Sequence, residues 1–197
     1  MCAFWFAGFL DVPEMKDFRY ILRLDDDSCI ASDIKYDIFM ELQVRGTQYA
    51  FQGVFDDLNF VVSGLLSFVD DYVKGKGINP THPKLYHHLK QLPSQANIPA
   101  FATNMEIIDT IRFRAADIAN FSSYIMSSKM IFHRRWGDAP LRMIQALLFL
   151  EGDGLLNICD FEYIHSAWPV YNFCGGRNSF DVLRKLLHYF VFSPIFL

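Results

Sequence analysis

Three consecutive carboxylates, Asp25, Asp26 and Asp27, follow the apolar run Tyr20-Ile21-Leu22-Arg23-Leu24 and precede Ser28 and Cys29. Gathering three like charges at the end of a buried strand is costly unless something offsets it. A hard divalent cation is the usual partner of such oxygens. Alternate side chains of an extended strand face the same way, so Asp25 and Asp27 are expected to point together. Open α/β sheets bind ligands beyond the carboxyl ends of their strands. Spacing alone favours a solvated acidic turn; the apolar strand in front raises the reading as a site for a metal ion or a diphosphate.

Three further groups carry side chains suited to chemistry. Glu106 stands in the otherwise neutral segment Phe101 to Ile108. At a strand-to-helix junction a carboxylate serves as nucleophile, base or acceptor ligand; it also serves simply as an acid favoured at a helix start. The run His133-Arg134-Arg135-Trp136-Gly137-Asp138-Ala139-Pro140 places two Arg beside an aromatic ring and an acid. Such rings stack on sugar faces, while Arg and Asp bond phosphates or hydroxyls; Asp138 also reads as a helix cap with Pro140 near the helix start. His165 lies among aromatics, the setting of a satisfied core histidine or of a ligand to a metal held by Asp25 and Asp27. His87 and His88 read as surface residues of a polar stretch. There is no nucleophile elbow, P-loop or G-x-G-x-x-G, so serine hydrolase, P-loop NTPase and Rossmann dehydrogenase readings lack support.

The elements that must position these groups alternate in type. Phe18 to Leu24 and Thr47 to Val54 read as strands. Ile34 to Leu42, Leu58 to Val73, Ala115 to Met126 and Leu141 to Leu150 carry apolar residues at helical spacing. Between them, Lys74 to Pro99 is polar and Pro-rich, with a short helix expected over Thr81 to Leu92 and loop elsewhere. Glu151 to Gly154 reads as a loop, Leu155 to Ile158 as a short apolar segment and Tyr163 to Tyr171 as an aromatic-rich one. Alternating strands and helices make the class α/β.

The totals agree with one domain. Of 197 residues, 52% are hydrophobic and 16% aromatic, too apolar for disorder and enough for a core. A formal net charge of -4 leaves no basic footprint for nucleic acid. Cys2, Cys29, Cys159 and Cys174 lack metal-ligand spacing; free thiols and two disulfides are both open. No run of ~20 apolar residues reads as a membrane span. Met1 to Leu10 is apolar with no basic region before it, so it reads as interior sequence and the chain as a truncated domain.

Together these segments resemble the fungal α-1,2-mannosyltransferases of glycosyltransferase family fifteen. The likeness runs from Met1 to about Cys174. It rests on Met1-Cys2-Ala3-Phe4-Trp5, on Arg23-Leu24-Asp25-Asp26-Asp27 with Tyr36-Asp37-Ile38-Phe39, on Thr103-Asn104-Met105-Glu106-Ile107, on Arg135-Trp136-Gly137-Asp138-Ala139-Pro140, and on His165 through Asn172. The resemblance implies a GT-A-like fold, a mixed sheet flanked by helices. It implies transfer of mannose from GDP-mannose to a mannose 2-hydroxyl of a glycan acceptor, with retention and with Mn²⁺, in the Golgi lumen. By the same resemblance Asp25, Asp27 and His165 are metal ligands and Glu106 is the nucleophile. Arg23 and Arg135 add charge at the donor diphosphate, and Trp136 and Asp138 face the acceptor.

Two departures accompany it. Asp25 and Asp26 stand where the family's Arg-Val-Glu-Pro-Asp motif has Glu and Pro, so the ligand is one methylene shorter. The family also carries a membrane anchor and first nucleotide-binding βα units ahead of the metal motif. This sequence implies that those units are missing, with residues 1–178 a partial catalytic domain and 179–197 an unassigned apolar tail. The rival expectation is a non-catalytic remnant that binds a glycan or a partner without turnover.

Overall fold

The computed structural model describes residues 1–165 apart from Gln95 and Cys159. The expected aromatic stretch beyond His165, Cys159, Cys174 and the tail 179–197 lie outside the described residues. Among the described residues the strands are β1 (Tyr20–Leu24), β2 (Ser28–Ile30), β3 (Tyr49–Phe51), β4 (Val54–Asp57), β5 (Ile98–Phe101), β6 (Met105–Asp109), β7 (Leu155–Asn157) and β8 (Tyr163–His165). The helices are α1 (Cys2–Phe6), α2 (Ile38–Arg45), α3 (Leu65–Lys76), α4 (Pro83–Lys90), α5 (Thr110–Phe113), α6 (Ala116–Ser127), α7 (Met130–His133) and α8 (Asp138–Phe149).

The central sheet is mixed, in the order β1-β6-β3-β7. β6 runs antiparallel to both β1 and β3, and β3 runs parallel to β7. Side-chain alternation sorts each strand between two cores. Met105 and Ile107 of β6, Ala50 of β3 and Leu156 of β7 join Ile38 and Leu42 of α2 on one face. Ile108, Tyr49, Phe51 and Leu155 face the larger core, built with α8, α6 and the apolar start of the chain. Phe6, Phe9 and Leu10 are buried there while Met1 and Phe4 are exposed, so the first ten residues are interior packing only in part.

Helix α8 is the pillar of that larger core: all twelve of its residues are buried. Helix α2 starts on Asp37, whose carboxylate accepts from the Phe39 and Met40 amides, and ends on Gly46 at φ 68, a left-handed cap that glycine adopts without strain. The Pro-rich excursion is better ordered than its composition suggests. Its amides at Thr81 and His82 donate to the Leu148 and Leu147 carbonyls, satisfying the end of α8. Its final residues, expected as loop, form β5, with Pro99 tolerated because β5 pairs only with β4. Among the described residues no helix is long and apolar enough to cross a membrane.

Candidate functional site

The acidic triplet does not continue β1. Asp26 and Asp27 form a turn, closed by the Ser28 amide donating to the Asp25 carbonyl at 3.1 Å. Strand alternation is therefore not what aligns Asp25 with Asp27; the turn does it. The chain leaves that turn as β2, which pairs antiparallel with β8 so that Ser28 lies opposite His165. This register delivers an imidazole from a distant part of the chain to the aspartates. His165 Nε2 sits 3.1 Å from Asp27 Oδ1. One ligand atom each from Asp25, Asp27 and His165 lie within 4.8 Å of one another. A Ser28–Tyr163 hydroxyl bond of 2.7 Å stiffens the same ribbon.

Two carboxylates and an imidazole form a donor set that a divalent ion such as Mn²⁺ accepts. His165 Nδ1 is buried with no hydrogen-bond partner in the structure, a polar atom still to be satisfied. The residues present thus fit the ion that the resemblance implies. Asp26 is exposed and stands outside the cluster.

A pocket of about 240 Å³ opens beside the cluster, lined by Asp25, His165, Phe55, Asp57, Thr103, Asn104 and Asp138 among others. Asp138 was expected to cap α8. Gly137 occupies the cap position instead, and the Asp138 carboxylate, one residue into the helix, turns to Arg23 and to the Thr103 hydroxyl, the latter at 3.0 Å. A guanidinium nearby outcompetes the helix's own amides for that carboxylate.

Arg23 is not available to a diphosphate in this arrangement. It is buried, with Asp25 at 3.0 Å, Asp138 in contact, Glu106 at 3.7 Å and the Trp5 ring 4.9 Å from its guanidinium carbon. Its three acidic neighbours converge because β1 and β6 pair with Arg23 opposite Glu106. Arg135 is exposed in the turn before α8 at φ 59, away from the pocket lining. Trp136 is wholly buried: its indole N–H donates to the Ser63 carbonyl at 3.0 Å and its ring packs against Phe68. It therefore shows no face on which a sugar could stack. A large apolar ring gains more from the core than from a solvated wall.

Glu106 lies in mid-strand, not at a strand-to-helix junction, and is fully buried. Alternation along β6 aims it at α8, where Arg142 Nε donates to Oε2 at 3.2 Å while Oε1 has no hydrogen-bond partner. Burial raises its pKa above the usual carboxylate value, against the pull of Arg142 and Arg23. As an attacking group it is sealed from the pocket in this arrangement. Cys2 and Cys29 are free thiols.

Asp57, at the end of β4, escaped the sequence reading; Phe55-Asp56-Asp57-Leu58 carries no signal beyond an ordinary strand end. Burial pushes its carboxyl up to about 6, with the Asp138 charge adding to the effect. A carboxyl raised in the folded state stabilises the fold most below its unfolded pKa, near 3.8, and loses that contribution as pH rises through about 6. Asp57→Asn is thus expected to be more stable than the parent at neutral pH by about 1–2 kcal/mol, after discounting for partial solvent exposure. The gain should fade toward pH 4 in urea unfolding curves; a constant gain across that range contradicts the titration.

Gly137 has room for nothing more. A Cβ built there meets Asp57 Oδ2 at 3.2 Å and Pro140 Cδ at 3.3 Å, while its φ of -72 suits any residue. Gly137→Ala is expected to cost about 1–2 kcal/mol by overpacking and to displace the Asp57 carboxylate, checked by thermal unfolding.

The chain is similar to known proteins over most of its length. The sequence profile described as Glycolipid 2-alpha-mannosyltransferase matches residues 1–179. The probable mannosyltransferase KTR3 of Saccharomyces cerevisiae is 30% identical over 194 residues, covering 95% of this chain and 46% of that protein. The alpha-1,2 mannosyltransferase KTR1 of the same yeast is 26% identical over 172 residues, covering 84% and 42%. This chain thus spans a little under half the length of these relatives. Core-mannan synthase A from Aspergillus fumigatus, solved in a Mn/GDP form, superposes with a TM-score of 0.79 at 19% identity, over 94% of this chain and 57% of that one. Ktr4p from S. cerevisiae, solved with GDP, gives 0.77 at 22% identity, over 89% and 47%. The fold is accordingly the GT-A-like one of these glycosyltransferases. With the profile spanning nearly the whole sequence, the chain belongs to the glycolipid 2-alpha-mannosyltransferase family.

Proposed function

We propose that this chain takes part in retaining α-1,2-mannosyl transfer from GDP-mannose to a mannose 2-hydroxyl of a glycan acceptor, with Mn²⁺ bound. The observation that carries the reading is the meeting of Asp25, Asp27 and His165 at the rim of the pocket that Asp138 also lines. A divalent ion held by those three residues would supply positive charge against a departing diphosphate.

The chain's own residues would do the rest. The β2–β8 ribbon holds His165 beside Asp27. Arg23 fixes Asp25 and Asp138 relative to each other, so the metal edge and the sugar edge of the pocket share one rigid brace. Asp138 keeps the Thr103 hydroxyl at 3.0 Å and sets the wall against which a sugar would sit. Glu106 supports this brace from below through Arg23 and Arg142. Its part as nucleophile, implied by the family, requires Arg23 to shift so that the carboxylate meets the pocket. We place the reaction in the Golgi lumen with the family.

The test is direct. The purified chain with Mn²⁺, GDP-mannose and methyl α-mannoside should yield an α-1,2-linked dimannoside, read by NMR, and a chelator should abolish it. A folded protein that makes no product and shows no heat with GDP and Mn²⁺ overturns the reading and favours a domain that binds without turnover. A Glu106→Gln variant with undiminished rate removes that carboxylate as nucleophile.

A further inference from the structure

We propose that Asp57 is an acceptor-binding residue: it accepts a hydrogen bond from a hydroxyl of the incoming mannoside, with Asn104 as a second oxygen acceptor in the same pocket. This deepens, and rests on, the glycosyl-transfer reading above. The pocket holds three carboxylates among its lining residues, Asp25, Asp57 and Asp138. Arg23 is paired to both Asp25 and Asp138. Among the described residues no cation pairs with Asp57. Its Oδ1 takes the adjacent Leu58 amide at 2.9 Å, and its Oδ2 lies over Gly137 with no hydrogen-bond donor seen for it among the described residues. Asn104 Oδ1 is buried and has no hydrogen-bond partner either.

A buried acceptor oxygen without a donor is costly and asks for one. Asn104 Oδ1 is such an atom, and the half-buried Asp57 Oδ2 in the same pocket adds a second acceptor, so the pair asks for a ligand that brings several donors. A cationic ligand would also satisfy a carboxylate, but the pocket's other contributions favour a neutral polyol. Phe55 supplies an aromatic surface suited to the C–H face of a sugar ring, and Ala102, Gly137 and Ala139 leave room against the backbone. The raised carboxyl of Asp57 agrees with an acid that has no charged partner. Gly137 is the structural counterpart of this role, since any side chain there would press on Asp57 Oδ2.

Saturation-transfer NMR of methyl α-mannoside against the whole chain, with Mg²⁺ and GDP present as diamagnetic companions, tests the assignment without requiring turnover. Asp57→Asn is expected to weaken mannoside binding at least tenfold, with Asp57→Glu recovering most of it. Manganese affinity, read from the electron paramagnetic resonance of the free ion, should stay within twofold of the parent and so exclude general collapse of the site. Mannoside binding by Asp57→Asn equal to the parent's, equal loss of mannoside and metal binding, or no mannoside binding by the parent would each overturn the proposal. Binding that depends on Asp57 in a chain that makes no dimannoside would uphold it while the transferase reading fell.

Discussion

Arg142→Met is expected to cost about 3–5 kcal/mol of folding stability, the range for removing one partner of a buried ion pair. Both Arg142 and Glu106 have fully buried side chains. The guanidinium donates to Glu106 Oε2 at 3.2 Å, to Gln145 Oε1 at 2.7 Å and to the Trp5 carbonyl at 2.7 Å, and lies 4.9 Å from the Phe113 ring. Gln145 passes the network on to the Ser122 hydroxyl at 2.9 Å. Methionine fills much of the volume but donates to none of these acceptors, leaving a sealed carboxylate whose nearest remaining cation is Arg23 at 3.7 Å. Against a typical total stability of about 5–15 kcal/mol the loss is large, and the urea midpoint at pH 7 should fall accordingly.

The companion variant separates charge from volume. Arg142→Met with Glu106→Leu removes both buried charges and should recover much of the loss, since apolar replacement of a whole buried pair is often near neutral. Lower pH should also shrink the defect of the single variant. Glu106 already binds its proton more readily in the fold than in the unfolded chain, and protonation discharges it. A single variant within 1 kcal/mol of the parent at pH 7 would mean that Glu106 needs no cation there.

The second large effect is on metal binding. His165→Ala and Asp27→Asn are each expected to weaken Mn²⁺ binding on the order of 100-fold or more, beyond the roughly 10–100-fold typical of residues that only support a ligand. Both atoms belong to the set that lies within 4.8 Å. Asp26→Asn is the matched control, because Asp26 is exposed and outside that set. Titrating each protein with Mn²⁺ under electron paramagnetic resonance gives the comparison. Equal affinities for Asp27→Asn and Asp26→Asn would mean that the triplet is only a solvated turn. Any dimannoside synthesis should fall in parallel with metal affinity.

Composition and periodicity carried a good part of the fold. The strands β1 and β3 and the helices α6 and α8 were legible from their apolar residues, whereas β6, buried on both faces, was not read as a strand. Boundaries shifted where local chemistry outweighed the pattern. Gly64, at φ 76, separates the short turn at Asn59–Val61 from α3, dividing what reads as one helix. Pro99 sits in a strand because that strand, β5, pairs only with β4 among the described residues, leaving its other edge without a neighbour.

Asp25, Asp27 and His165 are legible as candidate metal ligands by residue type and resemblance. What no spacing could show is that a two-stranded ribbon, β2 with β8, sets His165 against Asp27. The sequence by itself determined which residues are candidates, because charge and apolar character are local properties of the letters. Only the tertiary structure decided which of them face solvent, a pocket or each other. Arg23 was drawn to three acids, Trp136 entered the core, Glu106 was sealed against Arg142, and Asp57 was left facing the pocket. The physical reason is that burial and ion pairing depend on cross-strand register and helix packing, which unite residues far apart in the chain and leave no mark on their immediate neighbours.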